Sequence, residues 1–168
     1  MIYFVRHGQT DWNTIHKCQG HTDIELNNVG ISQANSLKEK LKNIRFDLIF
    51  SSPLKRALQT AKIITNQKII IDDRLIERNN GLLEGQTNVN WKEIQSIPGH
   101  ENKYKLETIA SMQKRIFDFF DEILEKYPNK NILIVSHAGV FINAYNYFFK
   151  KPLKMSEIKN ADYFVLKR

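Results

Sequence analysis

Four short apolar runs alternate along this chain with longer segments in which apolar residues recur every three or four positions. The runs cover residues 2–5, 48–50, 69–71 and 132–135. They are rich in β-branched side chains, which is typical of strands buried on both faces of a parallel sheet. Helical periodicity covers residues 30–41, 53–64, 108–127 and 140–149. The alternation predicts an α/β fold with a mostly parallel central sheet flanked by helices on both faces.

The remaining segments complete this outline. Residues 163–166 predict a last strand at an edge of the sheet, and residues 72–107 predict a loop-rich excursion with one short helix over 91–94. Ser52 before Pro53 predicts a helix start, with the serine as N-cap and the proline at the first helical position. Arg56 then lies in the first turn of that helix.

The size and charge of the chain limit the classes of protein to which it can belong. It has 168 residues, of which 42% are hydrophobic and 26% are charged. This is the size and composition of one globular domain, and no linker or repeat divides it, so we predict a single domain over residues 1–168. The formal net charge of +7 favours anionic partners, but the basic residues are spread along the chain, as on an ordinary solvated surface. Because nucleic-acid binding would need clustered basic residues interleaved with exposed aromatic ones, we expect no nucleic-acid partner.

Cysteine usage and the absence of long apolar stretches predict a cytoplasmic protein. Cys18 is the single cysteine, which excludes an internal disulfide and fits a reducing compartment. No apolar run reaches membrane-spanning length, and the first residues lack the basic leader of a signal peptide. We therefore expect no membrane partner. The aromatic segment 145–149 is either core or a dimer patch, which leaves a monomer or a homodimer.

Polar clusters follow three of the predicted strands, where ligands collect in open α/β sheets. Arg6 and His7 follow the first strand, Arg56 follows the second, and His137 follows the fourth. Two arginines and two histidines without a carboxylate cluster suit a phosphoryl group, because guanidinium groups repel a cation. The sequence therefore predicts a phosphate site that needs no metal and no cofactor.

The motifs around these residues resemble those of the histidine phosphatase superfamily, also called the phosphoglycerate mutase-like family. They are RHGQT at residues 6–10, SSPLKRALQTA at 51–61, LIERNNGLLEG at 75–85 and VSHAGV at 135–140. The resemblance implies a three-layer sandwich in which His7 is the nucleophile that becomes phosphohistidine and Glu77 is the proton donor. It assigns the phosphate pocket to Arg6, Arg56 and His137, with a further contact from Asn13.

The other residues of the predicted site carry less information. Gln9 and Thr10 either orient the loop or contact phosphate, and we assign Gly20 and Ala138 to the substrate-binding set. Chemistry alone would make Glu77 a member of a surface ion pair with a neighbouring arginine, and the resemblance favours the catalytic role. Cys18 is interpreted as a bystander, because a cysteine phosphatase would need an arginine six residues later, where this chain has Ile24.

The chain departs from the common pattern of the family at three positions. His21 and Glu25 stand where tryptophan and proline are usual, and Leu83 replaces a frequent tryptophan. These differences leave the core chemistry intact and alter loop shape and substrate fit. Three lysines in the 72–107 excursion are either solvent-exposed or bind a second anionic group of the substrate: Lys92, Lys103 and Lys105.

The resemblance implies a metal-independent phosphomonoester phosphatase acting on a small phosphorylated metabolite. A mutase is an alternative, although its phosphohistidine must be shielded from water and the segment 86–107 is shorter than the covers of glycolytic mutases. A phosphohistidine-protein phosphatase is a second alternative. A regulatory phosphate-binding module would not require His7 or Glu77, so the complete set favours an enzyme.

Overall fold

The computed structural model of the protein describes residues 1–167. Its strands are β1 (Ile2–Arg6), β2 (Leu48–Ser51), β3 (Ile69–Ile71), β4 (Ile132–Ser136) and β5 (Tyr163–Leu166). They form one sheet in the order β3-β2-β4-β1-β5. The first four strands of that order are parallel neighbours, and β5 pairs antiparallel with β1. The predicted mostly parallel sheet with a last strand at its edge is confirmed.

Helices cover both faces of this sheet. They are α1 (Asp11–Thr14), α2 (Asn28–Leu41), α3 (Lys55–Ile64), α4 (Trp91–Ser96), α5 (His100–Tyr104), α6 (Ile109–Lys126) and α7 (Ala138–Phe149). On one face, α6 and α7 pack on Ile132 and Ile134 of β4. On the other face, α2 and α3 pack on Leu133 and Val135 of the same strand. Successive side chains of a strand point to opposite faces, so a wholly apolar strand builds a three-layer sandwich.

The strand register brings the carboxyl ends of three strands to the same level. Arg6 at the end of β1 is paired with Ser136 at the end of β4, and Ser51 of β2 is paired with Val135. The loops after these strands therefore leave the sheet side by side. This arrangement places the polar clusters that follow β1, β2 and β4 at one edge of the sheet.

The predicted start of α3 is wrong in detail. The helix begins at Lys55 with Leu54 as its N-cap, and Pro53 lies before the helix. The Ser52 hydroxyl accepts a hydrogen bond from the Leu54 amide at 3.3 Å, so it stabilises a turn ahead of the helix and does not cap it. Arg56 still lies in the first turn, as predicted.

The excursion between β3 and α6 contains more structure than the sequence predicted. The short helix predicted over 91–94 is confirmed as α4, but α5 was not predicted, and 3-10 turns form at Asp73–Leu75 and Gly81–Leu83. Leu75 and Leu83 are buried, which ties these turns to the protein interior. The segment 145–149 lies at the end of α7, where Tyr145 and Phe148 pack against the core.

Candidate active site

The side chains predicted for the site meet at one cavity of about 1050 Å³. The predicted residues that line it are Arg6, His7, Asn13, Gly20, Arg56, Glu77 and Ala138. His137 is fully buried beside them, and its ring centroid lies 5.2 Å from that of His7. Gln9 and Thr10 do not line the cavity. The strand ends thus bring together residues that are far apart in the sequence.

His7 is held as a neutral imidazole with one free nitrogen. Its Nδ1 lies 2.7 Å from the Gly8 carbonyl oxygen, which can only accept, so Nδ1 carries the proton. Burial, with the positive charges of Arg56 and Arg6, holds the pKa of His7 well below its usual value. The lone pair on Nε2 is therefore available at neutral pH for attack on an electrophile.

His137 is neutral as well, with the opposite tautomer. The Arg56 Nε–H donates to His137 Nδ1 at 3.2 Å, so the ring proton lies on Nε2, which donates to the Ser52 hydroxyl at 2.7 Å. Burial and the charge of Arg56 hold the pKa of His137 well below its usual value. Sequence reasoning placed Ser52 at a helix cap and missed this contact, because it joins residues 85 positions apart.

Arg56 is a buried cation whose orientation is fixed by the backbone. Only 1% of its surface is exposed, and its two terminal nitrogens donate to the carbonyls of Gly20 at 2.7 Å and Thr22 at 2.9 Å. Burial lowers the pKa of Arg56 to about 10, which leaves the guanidinium charged at neutral pH. Glu84 in turn holds the loop that supplies these carbonyls, since its carboxylate accepts from the amides of His21 and Thr22, both at 2.9 Å.

Arg6 brings a second guanidinium to the cavity. Its Nη1 donates to the Ile158 carbonyl at 2.9 Å, and within residues 1–167 its buried Nε has no hydrogen-bond partner. Burial lowers the pKa of Arg6, and the negative charge of Glu77 opposes that shift. The remaining donors of Arg6 are available to an anion in the cavity.

The loop after β1 is organised by Asn13. Its side-chain oxygen accepts hydrogen bonds from the Thr10 amide at 3.0 Å, the Thr10 hydroxyl at 3.1 Å and Asn160 Nδ2 at 3.2 Å. Thr10 is the N-cap of α1, and Gln9 Oε1 accepts from Asn27 Nδ2 at 3.1 Å. The geometry favours loop orientation over phosphate contact for Gln9 and Thr10. The oxygen of Asn13 is used within the loop, so its amide NH₂ is the group left to meet a ligand.

Glu77 reaches the cavity without forming an ion pair among the described residues. Its carboxylate accepts from the Gly139 amide at 3.1 Å and the Arg78 amide at 2.9 Å. Arg74 instead pairs with Asp72 at 2.6 Å. The interpretation of Glu77 as part of a surface ion pair is therefore wrong. A Cβ atom at position 139 would overlap the Glu77 carboxylate, so only glycine allows this approach.

A half-buried arginine on α6, Arg115, fixes the backbone that carries Glu77. Arg115 donates to the carbonyls of Arg74 at 2.7 Å, Ile76 at 2.6 Å and Glu77 at 3.1 Å. The same guanidinium binds both carboxylate oxygens of Glu107, at 2.7 and 2.9 Å. Such a planar fork suits a bidentate contact. No pattern in the sequence predicts these contacts, because Arg115 lies in an ordinary amphipathic helix.

Of the three departures from the family pattern, His21 contacts the segment that carries Glu77, whereas Glu25 forms an exposed ion pair with Lys55. His21 Nε2 lies 2.8 Å from the Glu77 carbonyl oxygen, and Leu83 is buried.

Cys18 lines the cavity, and burial raises the pKa of its thiol to about 11, which keeps it protonated and unreactive. Within residues 1–167, no three His, Cys, Asp or Glu side chains are grouped so that they could hold a metal ion. In the same part of the chain, no helix has both the length and the apolarity needed to cross a membrane.

Comparisons with known proteins agree with this geometry. The sequence profile of the histidine phosphatase superfamily (branch 1) matches residues 2–167. The chain is 40% identical over 142 residues to the uncharacterized phosphatase PhoE of Bacillus subtilis, a match that covers 82% of this chain and 72% of that protein. The resemblance seen in the sequence motifs is confirmed.

Two solved structures share the fold over nearly the whole chain. One is a mutant phosphoserine phosphatase of Entamoeba histolytica in complex with phosphoserine, with a TM-score of 0.80, 31% identity, and coverage of 96% of this chain and 87% of that one. The other is a phosphoglycerate mutase of Bacillus anthracis, with a TM-score of 0.82, 25% identity, and coverage of 96% and 85%. The predicted phosphoglycerate mutase-like sandwich is confirmed.

The neutral histidines predict a pH-dependent stability. The pKa values of His7 and His137 are both lowered in the folded protein. Below about pH 6.5 the unfolded chain therefore binds more protons than the folded one. The free energy of unfolding should therefore fall by up to about 1.4 kcal/mol per pH unit for each histidine as the pH decreases below that value. Urea unfolding between about pH 7.5 and 5.5 measures this. H137Q should show a shallower decrease, and a stability that does not change over this range would contradict the assignment.

The hydrogen bonds of Arg115 predict that Arg115→Met loosens the backbone segment that carries Glu77. Unpaired carbonyls and an unpaired Glu107 should lower the free energy of unfolding by about 1–3 kcal/mol. The Gly139 amide, which donates to Glu77, should also exchange faster with deuterium. Lys114→Met is the matched control on the same helix, because the one ion pair of Lys114 within residues 1–167 is with the exposed Asp118. This substitution should change the free energy of unfolding by less than about 1 kcal/mol. Equal effects of the two substitutions would show that Arg115 has no special role.

Proposed function

Since the chain belongs to the histidine phosphatase superfamily, we propose that it is a metal-independent phosphomonoesterase that hydrolyses a small phosphorylated metabolite through a phosphohistidine at His7. The observation that carries the proposal is the hydrogen bond from His7 Nδ1 to the Gly8 carbonyl, which leaves Nε2 unprotonated on a ring that lines one pocket with two guanidinium groups. An imidazole in this state can attack phosphorus, and the arginines can hold the phosphoryl oxygens.

The first step transfers the phosphoryl group to the enzyme. The lone pair of His7 Nε2 attacks phosphorus and forms the P–N bond as the P–O bond to the leaving group breaks. Glu77 in its protonated form gives its proton to the leaving oxygen, which departs as an alcohol. Arg6 and Arg56 stabilise the charge that spreads over the equatorial oxygens. The proton stays on Nδ1, hydrogen-bonded to the Gly8 carbonyl oxygen, and the phosphorylated ring carries one positive charge.

The second step returns the enzyme to its starting state. The Glu77 carboxylate, now deprotonated, takes a proton from water as the water oxygen attacks phosphorus. The P–N bond breaks, the electron pair returns to His7 Nε2, and inorganic phosphate leaves. Two oxygens of Glu77 are already oriented by the amides of Gly139 and Arg78, so the carboxyl group keeps its position through both proton transfers.

Access of water supports hydrolysis over the mutase alternative. His16, Asn88 and Gln95 line the cavity and are exposed, so its mouth is open to solvent. A mutase must keep its phosphohistidine away from water. A cavity of about 1050 Å³ can also hold an entire small molecule, which favours a metabolite over a phosphohistidine on another protein. We extend the proposal to one catalytic domain in the cytoplasm, either a monomer or a homodimer.

His7→Ala should abolish turnover of an aryl phosphate and the incorporation of acid-labile phosphate. The other imidazole beside the arginines, His137, has both ring nitrogens in hydrogen bonds, and the Cys18 thiol is protonated, so neither replaces His7. Turnover of the unaltered protein should persist when a chelator is added. Rapid-quench measurements with labelled substrate and steady-state rates with and without chelator check both statements. Undiminished turnover of the variant would rule out the covalent mechanism, and loss of activity with chelator would rule out metal independence.

Glu77→Gln should slow hydrolysis of alkyl phosphates by about 10²–10⁴-fold, because these poor leaving groups need a proton. Activated aryl esters, whose leaving groups need less protonation, should lose much less. The ratio of kcat values for the two substrate types measures the effect. Arg115→Met should show a weaker form of the same pattern. Equal losses on both substrate types would argue against Glu77 as the acid.

A further inference from the structure

We infer that the leaving group of the natural substrate is an uncharged ring bearing hydroxyl or amide groups, as in a sugar or nucleoside phosphate, and carries no carboxylate or second phosphate. The inference rests on the proposed phosphatase function and adds the chemical class of the substrate. It is drawn from the part of the cavity beyond the phosphate pocket. That part is formed by the segment after Gly85, by α6 and by α7.

The cavity is larger than a three-carbon phosphate ester requires. Its volume of about 1050 Å³ lies just above the range, about 300–1,000 Å³, in which proteins enclose drug-sized ligands. A phosphoglycerate or phosphoserine molecule would leave most of this space to water. The size therefore favours a leaving group with one or two rings.

The cavity lining offers little to a second anionic group. Beyond Arg6 and Arg56, its lysine and arginine side chains within residues 1–167 are Lys17 and Arg78. The Lys17 ammonium lies 4.3 Å from the centroid of the Trp12 ring. Arg78 donates from Nε to the Glu107 carbonyl at 2.8 Å. Its buried Nη2 has no hydrogen-bond partner within residues 1–167 and lies 3.6 Å from the Glu101 carboxylate, so this nitrogen faces a negative charge. Both positive charges are therefore already offset within the protein, that of Lys17 by an aromatic ring and that of Arg78 by neighbouring carboxylates.

The lysines of the excursion do not change this conclusion. Lys92, Lys103 and Lys105 do not line the cavity, and the Lys103 ammonium lies 5.3 Å from the Tyr104 ring centroid. Of the two alternatives stated for these residues, the structure favours exposure to solvent over contact with a second anion.

The part of the cavity beyond the phosphate pocket offers uncharged polar groups to a ligand. Asn88 and Gln95 line the cavity, and neither side chain makes a hydrogen bond within residues 1–167. By contrast, Asn90 caps α4, and Asn143 is bonded to Gln113 and to the Gly139 carbonyl. Gln19 also lines the cavity, and its buried Oε1 has no hydrogen-bond partner within residues 1–167. An amide both donates and accepts, so these free amides match hydroxyl groups or the polar edge of a nucleobase.

Apolar surface accompanies these amides in the same cavity. Trp91 is half-buried and lies four positions before Gln95, so the indole and the amide lie on one side of α4. Ile109 and Met112 of α6 and Ile142 of α7 add aliphatic surface. A ring with apolar faces and polar edges satisfies both kinds of lining, whereas a small carboxylate satisfies neither.

A panel of phosphate esters tests the inference on the unaltered protein. The panel contains glucose 6-phosphate, a nucleoside 5′-monophosphate, glycerol 2-phosphate, phosphoserine and 3-phosphoglycerate. At least one of the two ring esters should exceed the other three compounds in kcat/KM by about tenfold or more. The better of the two identifies a sugar or a nucleoside. Phosphoserine or 3-phosphoglycerate at or above the ring esters would overturn the inference.

Two variants connect any preference to the residues named. Trp91→Ala and Gln95→Leu should each lower the ratio of kcat/KM for the preferred ring ester to that for glycerol 2-phosphate by about fivefold or more. Gln67→Leu is the matched control, because Gln67 lies outside this cavity, and it should leave the ratio unchanged. An unchanged ratio in both cavity variants would overturn the assignment. Lys17→Gln should not weaken turnover of phosphoserine, and a selective loss there would reveal an anion site.

The failure of this inference differs from failure of the proposed function. If no ester is hydrolysed, or if hydrolysis survives His7→Ala, then the proposed function itself is wrong. If hydrolysis depends on His7 and the carboxylate esters are preferred, then only the inferred leaving group is wrong.

Discussion

The buried guanidinium of Arg56 is the interaction on which the rest of the site depends. It joins three separate parts of the chain, because it donates to His137 after β4 and to the carbonyls of Gly20 and Thr22 in the loop after α1. Burying a charge costs several kcal/mol unless hydrogen bonds compensate it. The three hydrogen bonds of Arg56 supply that compensation, and its positive charge helps to keep both His7 and His137 neutral. One cation therefore sets loop positions and protonation states together.

The acid is held by a second set of contacts, which His21 links to the first. Glu77 lies on an irregular segment, where backbone position is not fixed by a sheet or a helix. Arg115 supplies that constraint from α6 by binding three carbonyls of the segment, and the Gly139 amide orients the carboxylate. The site thus combines a nucleophile fixed by the sheet with an acid fixed by a helix. Such preorganisation is what phosphoryl transfer requires, since most of its catalysis is positioning and charge stabilisation.

The central sheet and the residues gathered at the ends of its strands could be predicted from the sequence. Apolar runs at 2–5 and 132–135 determine a central parallel sheet, and residues just after such strands must share one edge, which placed Arg6, His7 and His137 together. The contacts that were missed join residues with no local pattern. Ser52 bonds His137 across 85 positions, and Arg115 reaches Glu77 across 38. The misplaced start of α3 has the same cause, because the Ser52 hydroxyl also serves this distant partner.

The protonation state of His7 is the central claim, and nitrogen NMR of the protein labelled with ¹⁵N-histidine tests it most directly. At about pH 6, where an ordinary imidazole is mostly protonated, the account predicts a neutral His7 ring with its proton on Nδ1 and an unprotonated Nε2. The H7A spectrum assigns the signals by their disappearance. A His7 ring that is protonated on both nitrogens, or that carries its single proton on Nε2, would contradict the account.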